Sequence, residues 1–325
     1  MPSVSLPLMT IAPGQSVRIT PTDVSSFVRL EQCERFLRFR LAERSGVRFM
    51  DDYGVAPQRL EPLLSLSGRE FEEGVEKDIA GKVRAVHYAT KYSGDHDRPA
   101  NNAEVVAEVK SLPAGQTVVL FQARLHVEVE GWLLRGDVDV LRFEQDDEGR
   151  LQILIADMKS TAEVKVEHRL QIAFYAVMLE RLLTDNGVKW HDVQIGILFR
   201  PPTAPTTEQE VEVLPPLREA ATTWFKLDAV LLEVVADQEA NRRSARDLVT
   251  APDSTARRIA TADFGSLPYC LSYKCDGCLY NEWCMKDSAE REDLSLLPFM
   301  TGVEKEALRR AGVTTLQTRV LHLLR

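Results

Sequence analysis

The sequence has no run of eighteen apolar residues, which excludes a helix able to span a bilayer. Its opening, "MPSVSLPLMTIAPGQ", lacks a charged stretch ahead of a long apolar core, so it does not read as a secretory signal, and a cytoplasmic location is expected. There is no G-x4-G-K-[ST] motif, hence no phosphate loop of its own, and there is no internal repeat or low-complexity tract. Five cysteines in 325 residues are too few for a disulfide framework, and a chain of this length buries enough surface to need none. They read instead as metal ligands or buried thiols. Basic residues are outnumbered, 40 against 49 acidic, for a net charge of −9. That excludes a generally basic coat, leaves room for a local basic groove, and suits a site for divalent cations. What remains is ordinary for a globular protein: 44% hydrophobic and 27% charged residues, enough for one large domain or two modest ones.

Thr20, Pro21 and Asp23 supply an N-cap, a first-turn proline and an acid three residues after the cap. They predict a helix running to about Arg44, with Cys33 on it and Arg35, Arg38, Arg40 and Arg44 either facing phosphate or forming a solvated face. A second helix is expected from about Gly68 through "REFEEGVEKDIAGKVRAVHYATKY", then a loop over 92–102. Three strands at about 117–129, 131–144 and 151–158 follow, rich in Val, Leu, Ile and Phe and joined by polar turns, most simply as an antiparallel meander. Helical spacing of Leu170, Ala173, Phe174, Val177 and Met178 predicts a helix over 166–184. A strand, "VQIGILFR", a helix over about 215–243, a cysteine-rich segment and a short helical tail complete the chain. The fold class is α/β, a mixed sheet flanked by helices.

Two segments carry the chemistry. In "LQILIADMK", strand alternation puts Asp157 and Lys159 on one face, where a carboxylate binds a hard cation and an ammonium steadies a hydroxide or a phosphate oxygen. In "LLRGDVDVLRF", Asp137 and Asp139 interrupt an apolar strand, a costly placement unless they pair or bind metal. Carboxylates from adjacent strands, with the Met158 carbonyl, form an oxygen cage suited to Mg2+ or Mn2+. The alternative is pairing of Asp137 and Asp139 with Arg135 and Arg142 on an exposed face. Glu70, Glu72 and Glu73 on the second helix are within sequence range of the same site.

These segments resemble the PD-(D/E)XK nuclease superfamily, and within it the RecB-like branch. That branch places Gly-x-x-Asp on one strand, Asp-x-Lys on the next and Gln-x-x-x-Tyr on the following helix. Gly136 to Asp139, Asp157 to Lys159 and Gln171 to Tyr175 occur here in that order. The resemblance implies a restriction-endonuclease-like fold, with Asp139, Asp157 and Met158 at the metal, Lys159 catalytic, and Gln171 and Tyr175 positioning the nucleic acid strand. Where the branch usually has histidine four residues after a glycine on the early helix, Gly68 is followed by Glu72, the expected third ligand.

Some members of the branch, among them the CRISPR-associated RecB-like nucleases and AddB, carry one cysteine before the nuclease core and three after it, spaced C-x2-C-x5-C. Cys33 with Cys275, Cys278 and Cys284 match that plan, which implies a [4Fe–4S] cluster stapling the two ends of residues 1–290. A local zinc site of Cys270, Cys275, Cys278 and Cys284 is the alternative. Residues 291–325 loosely resemble a helix–hairpin–helix tail, with Met300-Thr301-Gly302 in place of the usual hairpin, and related forms are expected to continue into further domains. The expected activity is phosphodiester hydrolysis, as an exonuclease or flap-type nuclease on single-stranded DNA ends in repair or recombination, with a helicase or repair-complex partner and no membrane. The rival is a DNA-binding module that serves such a partner without cutting.

Overall fold

The computed structural model describes residues 6, 8–9, 16–52, 62–88, 98–200 and 230–318. In chain order the elements are β1 (Val17–Ile19), α1 (Pro21–Arg29), α2 (Glu34–Arg44), α3 (Phe49–Asp52), α4 (Pro62–Ala80), β2 (Arg84–His87), α5 (Asn102–Ser111), β3 (Thr117–Val129) and β4 (Trp132–Gln145). They continue with β5 (Leu151–Lys159), α6 (Val166–Asp185), β6 (Asp192–Phe199), β7 (Leu231–Val234), α7 (Gln238–Ala245), α8 (Thr255–Thr261), α9 (Asn281–Glu290) and α10 (Gly302–Arg310). The chain divides into two compact units.

The larger unit, 18–25 and 60–254, holds a mixed sheet in the order β2-β3-β4-β5-β6-β7, with β1 added to β4. The expected meander is present: β3 runs antiparallel to β4, and β4 to β5. β5 and β6 are parallel, and α6 is the crossover between them. Helix α4 lays Phe71, Val75 and Ile79 against Val119, Phe121, Val140, Leu154, Ala156 and Met158 of the sheet. Burying that stripe is the main term holding α4 in place, at about 1.5–3 kcal/mol for each large apolar side chain.

The smaller unit, 1–17, 26–59 and 255–325, is discontinuous in sequence. Its centre is aromatic: Phe39 contacts Phe49, Phe264, Tyr280 and Trp283 with ring centroids 4.4–5.2 Å apart. Arg35 stacks 3.4 Å above Tyr269 and pairs with Asp287 at 2.8 Å. Buried Lys305 of α10 pairs with Asp293 at 2.6 Å, so residues 291–318 pack within this unit.

Several expectations are corrected. The first helix is two helices: Thr20 and Asp23 form the reciprocal cap of α1, but Glu31 and Gln32 both take positive φ, and Cys33 becomes the N-cap of α2. Local propensity favours helix through this point, and packing overrides it. Arg35 and Arg38 are fully buried, so they form neither a solvated face nor a phosphate-facing one. Helix α4 begins six residues before Gly68 and ends at Ala80 with Gly81 following; Arg84–His87 is instead a strand, parallel to β3. Helix α5, not foreseen, occupies Asn102–Ser111. Within the expected helix 215–243, residues 215–229 lie outside the described residues, Leu231–Val234 pairs as a strand with β6, and helix begins at Gln238. Residues 92–97 of the expected loop, the tail beyond 318 and most of the opening segment also lie outside the described residues.

One glycine is fixed by packing in the larger unit. A Cβ on Gly136 would stand 2.6 Å from Tyr175 Cε1 and 2.9 Å from Pro21 Cδ. Gly136→Ala is therefore expected to lower unfolding free energy by about 1–3 kcal/mol, read from the urea midpoint. An unchanged midpoint would mean that α6 and β4 separate without cost.

Candidate active site

The β4–β5 ladder runs from Gln145–Leu151 to Val140–Ala156 and stops. Asp139 and Asp157 are the next residues on the two strands. Instead of meeting a backbone carbonyl, the Met158 amide donates to Asp139 Oδ2 at 2.9 Å. On its other side the β3–β4 pairing skips one position, between Phe121–Val140 and Ala123–Val138, where Gln122 adopts φ 58°. Asp139 thus sits at a break in the sheet on both sides. Asp139 and Asp157 are each only 2% exposed, and their side chains are within hydrogen-bonding reach of one another.

Burial is the largest influence on Asp157, and with Asp139 beside it the carboxyl is pushed up to about 7 despite the opposing Lys159 ammonium. Lys159 Nζ lies 2.7 Å from Asp157 Oδ2, and its side chain is 22% exposed. Gln171 Nε2 approaches Asp157 Oδ1 at 3.5 Å. Tyr175, one turn further along α6, donates its hydroxyl to the Asp137 carbonyl at 2.7 Å. The tyrosine is buried and holds β4 in place against α6.

Arg142 pairs with Glu144. Asp137 is gripped by Arg124 at 2.6 Å and Arg98 at 3.1 Å. Burial would raise its carboxyl, but the two guanidinium groups outweigh that and hold it below the usual range. Of the α4 acids, Glu70 and Glu73 are exposed and Glu72 is buried. An acid not singled out from sequence, Glu76, lies one turn after Glu72 on the same face. It accepts from Gln122 Nε2 at 3.0 Å and has His87 Nδ1 at 3.4 Å. Burial raises its pKa, and the charge of Asp139 adds to the rise. The signal was present: the spacing from Gly68 to Glu72, repeated once, reaches Glu76.

The cysteines gather in the smaller unit. Cys33, Cys278 and Cys284 influence one another electrostatically, and Cys275 acts on all three. Amides point at these sulfurs: Phe36 and Arg35 at Cys33, Ser272 at Cys275 over 3.4 Å, and Tyr280 at Cys278. Burial nonetheless raises the Cys33, Cys278 and Cys284 thiols, Cys278 to about 11. Cys270 is placed differently, donating its S–H to the Met300 carbonyl at 3.3 Å with Lys305 as its nearest opposing charge.

Compared with known families, residues 40–285 match the PD-(D/E)XK nuclease superfamily, three quarters of the chain. The chain belongs to that superfamily. Its members are generally nucleases that use Mg2+ or Mn2+, which implies a DNA substrate. A search of curated proteins finds no match. The solved structure described as SSO0001 is 10% identical and covers 83% of this chain and 86% of its own, with a TM-score of 0.32, too low to carry either fold or function across. Among the described residues, no helix is long and apolar enough to cross a membrane.

Among the described residues, no three His, Cys, Asp or Glu side chains are closed into a metal-binding shell. The acidic donor set still suits the divalent ion that members of the superfamily generally use. Two buried carboxylates forced together, with a third acid in range, have an all-oxygen chemistry that fits a hard divalent ion. Four convergent thiols ringed by amides fit a thiolate-bound centre.

The raised Asp157 carboxyl has a consequence for stability. A folded pKa near 7 against an ordinary one near 3.8 means that the folded state holds the proton more tightly. This contribution is complete below the ordinary carboxylate range and is lost as pH rises through 7. In EDTA, unfolding free energy should fall from pH 4 to pH 7 by an amount on the order of a few kcal/mol more than in Asp157→Asn. Parallel pH profiles for the two proteins in denaturant titrations would contradict the buried, protonated carboxyl.

Proposed function

We propose that this chain is a RecB-like, metal-dependent DNA nuclease that hydrolyses phosphodiester bonds on single-stranded ends or flaps in repair or recombination. The observation that carries the reading is the pair Asp139 and Asp157 at the end of the β4–β5 ladder, with Lys159 2.7 Å from Asp157. A purely structural sheet has no use for two carboxylates buried side by side, because each costs several kcal/mol to desolvate.

Asp139 and Asp157 are the residues that would hold Mg2+ or Mn2+, with the Met158 carbonyl and the α4 acids Glu72 and Glu76 as further oxygen donors. The chemistry such an ion supplies when bound is Lewis acidity toward water and the scissile phosphate. Lys159 brings a cation to the same edge, where it orients the attacking water or offsets charge on the pentacovalent phosphate. Gln171 and Tyr175 position the strand indirectly, by fixing Asp157 and β4. Residues 1–290 act as the nuclease domain, 291–325 as a helical tail, and a helicase or repair complex is the expected partner.

Lys159→Ala should lower cleavage of end-labelled single-stranded DNA by roughly a hundred- to a thousandfold in Mg2+, with binding retained. Undiminished cleavage by a clean preparation removes the lysine from the mechanism, and a wild-type protein that binds but never cuts favours the binding-module reading.

For the cysteines we propose a [4Fe–4S] cluster on Cys33, Cys275, Cys278 and Cys284. The mutual proximity of these four thiols supports that set over a zinc site that includes Cys270. Protein purified without oxygen should be brown with a broad shoulder in the blue, bleached by Cys33→Ser and unaffected by Cys270→Ser. Colourless protein containing one zinc, lost in Cys270→Ser, would establish the alternative.

A further inference from the structure

Gln122 stands out from everything around it. It is a non-glycine residue at φ 58° in the middle of the thirteen-residue strand β3, and it is only 1% exposed. Left-handed backbone at such a residue costs on the order of 1 kcal/mol or more and persists only where something else requires it. No turn is made here, because β3 and β4 keep the same register before and after the skipped position. Its amide nitrogen donates to Glu76 Oε1 at 3.0 Å, while its Oε1 is buried with no hydrogen-bond partner among the described residues. Its carbonyl faces Arg98, which grips Asp137.

Each of these features points the same way. The kink removes Asp139 from a regular ladder on the β3 side, as the end of pairing does on the β5 side. The Gln122 side chain then crosses to α4 and fixes Glu76, an acid whose charge interacts with that of Asp139. His87 holds the other oxygen of that acid, at 3.4 Å. A glutamine does this without adding a further negative charge to three crowded carboxyl groups. Its single amide oxygen is left buried and without a hydrogen bond among the described residues, a costly state for a residue with only a packing role.

We propose that Gln122 is a positioning residue of the nuclease site, holding Glu76 toward Asp139 at the expense of local backbone stability. This rests on the nuclease reading above and extends it to a residue outside the recognised motifs.

Gln122→Gly is the decisive variant, since glycine accepts the left-handed backbone and the substitution removes only the side chain. Three properties are measured on the full chain: the thermal midpoint, Mn2+ binding by titration calorimetry, and cleavage of single-stranded DNA. The expected result is a thermal midpoint equal to or above wild type, Mn2+ binding weakened about tenfold or more, and kcat/KM lowered about ten- to a hundredfold. Gln122→Asn, which tolerates the same backbone but falls short of Glu76, should behave like the glycine variant. Wild-type Mn2+ affinity and cleavage in Gln122→Gly overturn the proposal, as does a loss of activity matched by an equal loss of folded protein. Lys159→Ala, run alongside, separates the two readings: if it cleaves normally the nuclease mechanism itself falls, whereas an inactive Lys159→Ala beside a fully active Gln122→Gly sinks only the role of Gln122.

Discussion

Repulsion between two buried carboxyl groups organises the centre of this protein. Asp139 and Asp157 lie within reach of each other, each almost wholly removed from solvent. Left alone they would force a proton onto the pair or push the strands apart. The surrounding structure manages both tendencies. The Met158 amide donates to Asp139, Lys159 approaches Asp157, and Gln171 closes on its other oxygen. The sheet is continuous up to Val140 and Ala156, so the strain is confined to one edge. A wider set of contacts then fixes that edge from behind: Arg98 and Arg124 on Asp137, and the Tyr175 hydroxyl on the Asp137 carbonyl.

The strands of the meander, the crossover helix and the strand after it were legible because their apolar periodicity is strong and their turns are marked by glycine and acid clusters. Asp157, Lys159 and the Gly136–Asp139 segment were legible because charge in an apolar strand is conspicuous. Other features were hidden for physical reasons. The break before Cys33 uses Glu31 and Gln32 in a backbone state their side chains do not favour, so no local signal announces it. Helix α4 ends early because its apolar stripe ends at Ile79, while the helix-compatible residues continue. Glu76 looks like any solvated helix acid until the sheet is placed against it. Gln122 sits in a run of β-favouring residues, and only coordinates reveal its kink.

Gly136 shows how packing and chemistry are joined in one motif. In sequence, Gly136 stands out only as part of a Gly-x-x-Asp pattern on a strand. Here it is the surface on which Tyr175 and Pro21 rest, and no side chain fits between them. Close approach of α6 lets the tyrosine hydroxyl reach the backbone two residues before Asp139. In this chain the glycine, the acid and the tyrosine are linked by one cause, the seating of a helix on a strand beside the site.

The smaller unit is assembled from segments that leave the ribosome far apart in time. Cys33 is made early, and Cys284 follows only after about 250 further residues, roughly 10–50 s of synthesis at ordinary elongation rates. During that interval the aromatic ring of Phe39 has neither Tyr280 nor Trp283 to rest on, and Arg35 lacks Asp287. The newborn N-terminal segment must wait, with an unshielded thiol and sticky rings, until the last quarter of the chain arrives, and it is at this stage that oxidation or premature association can divert the molecule.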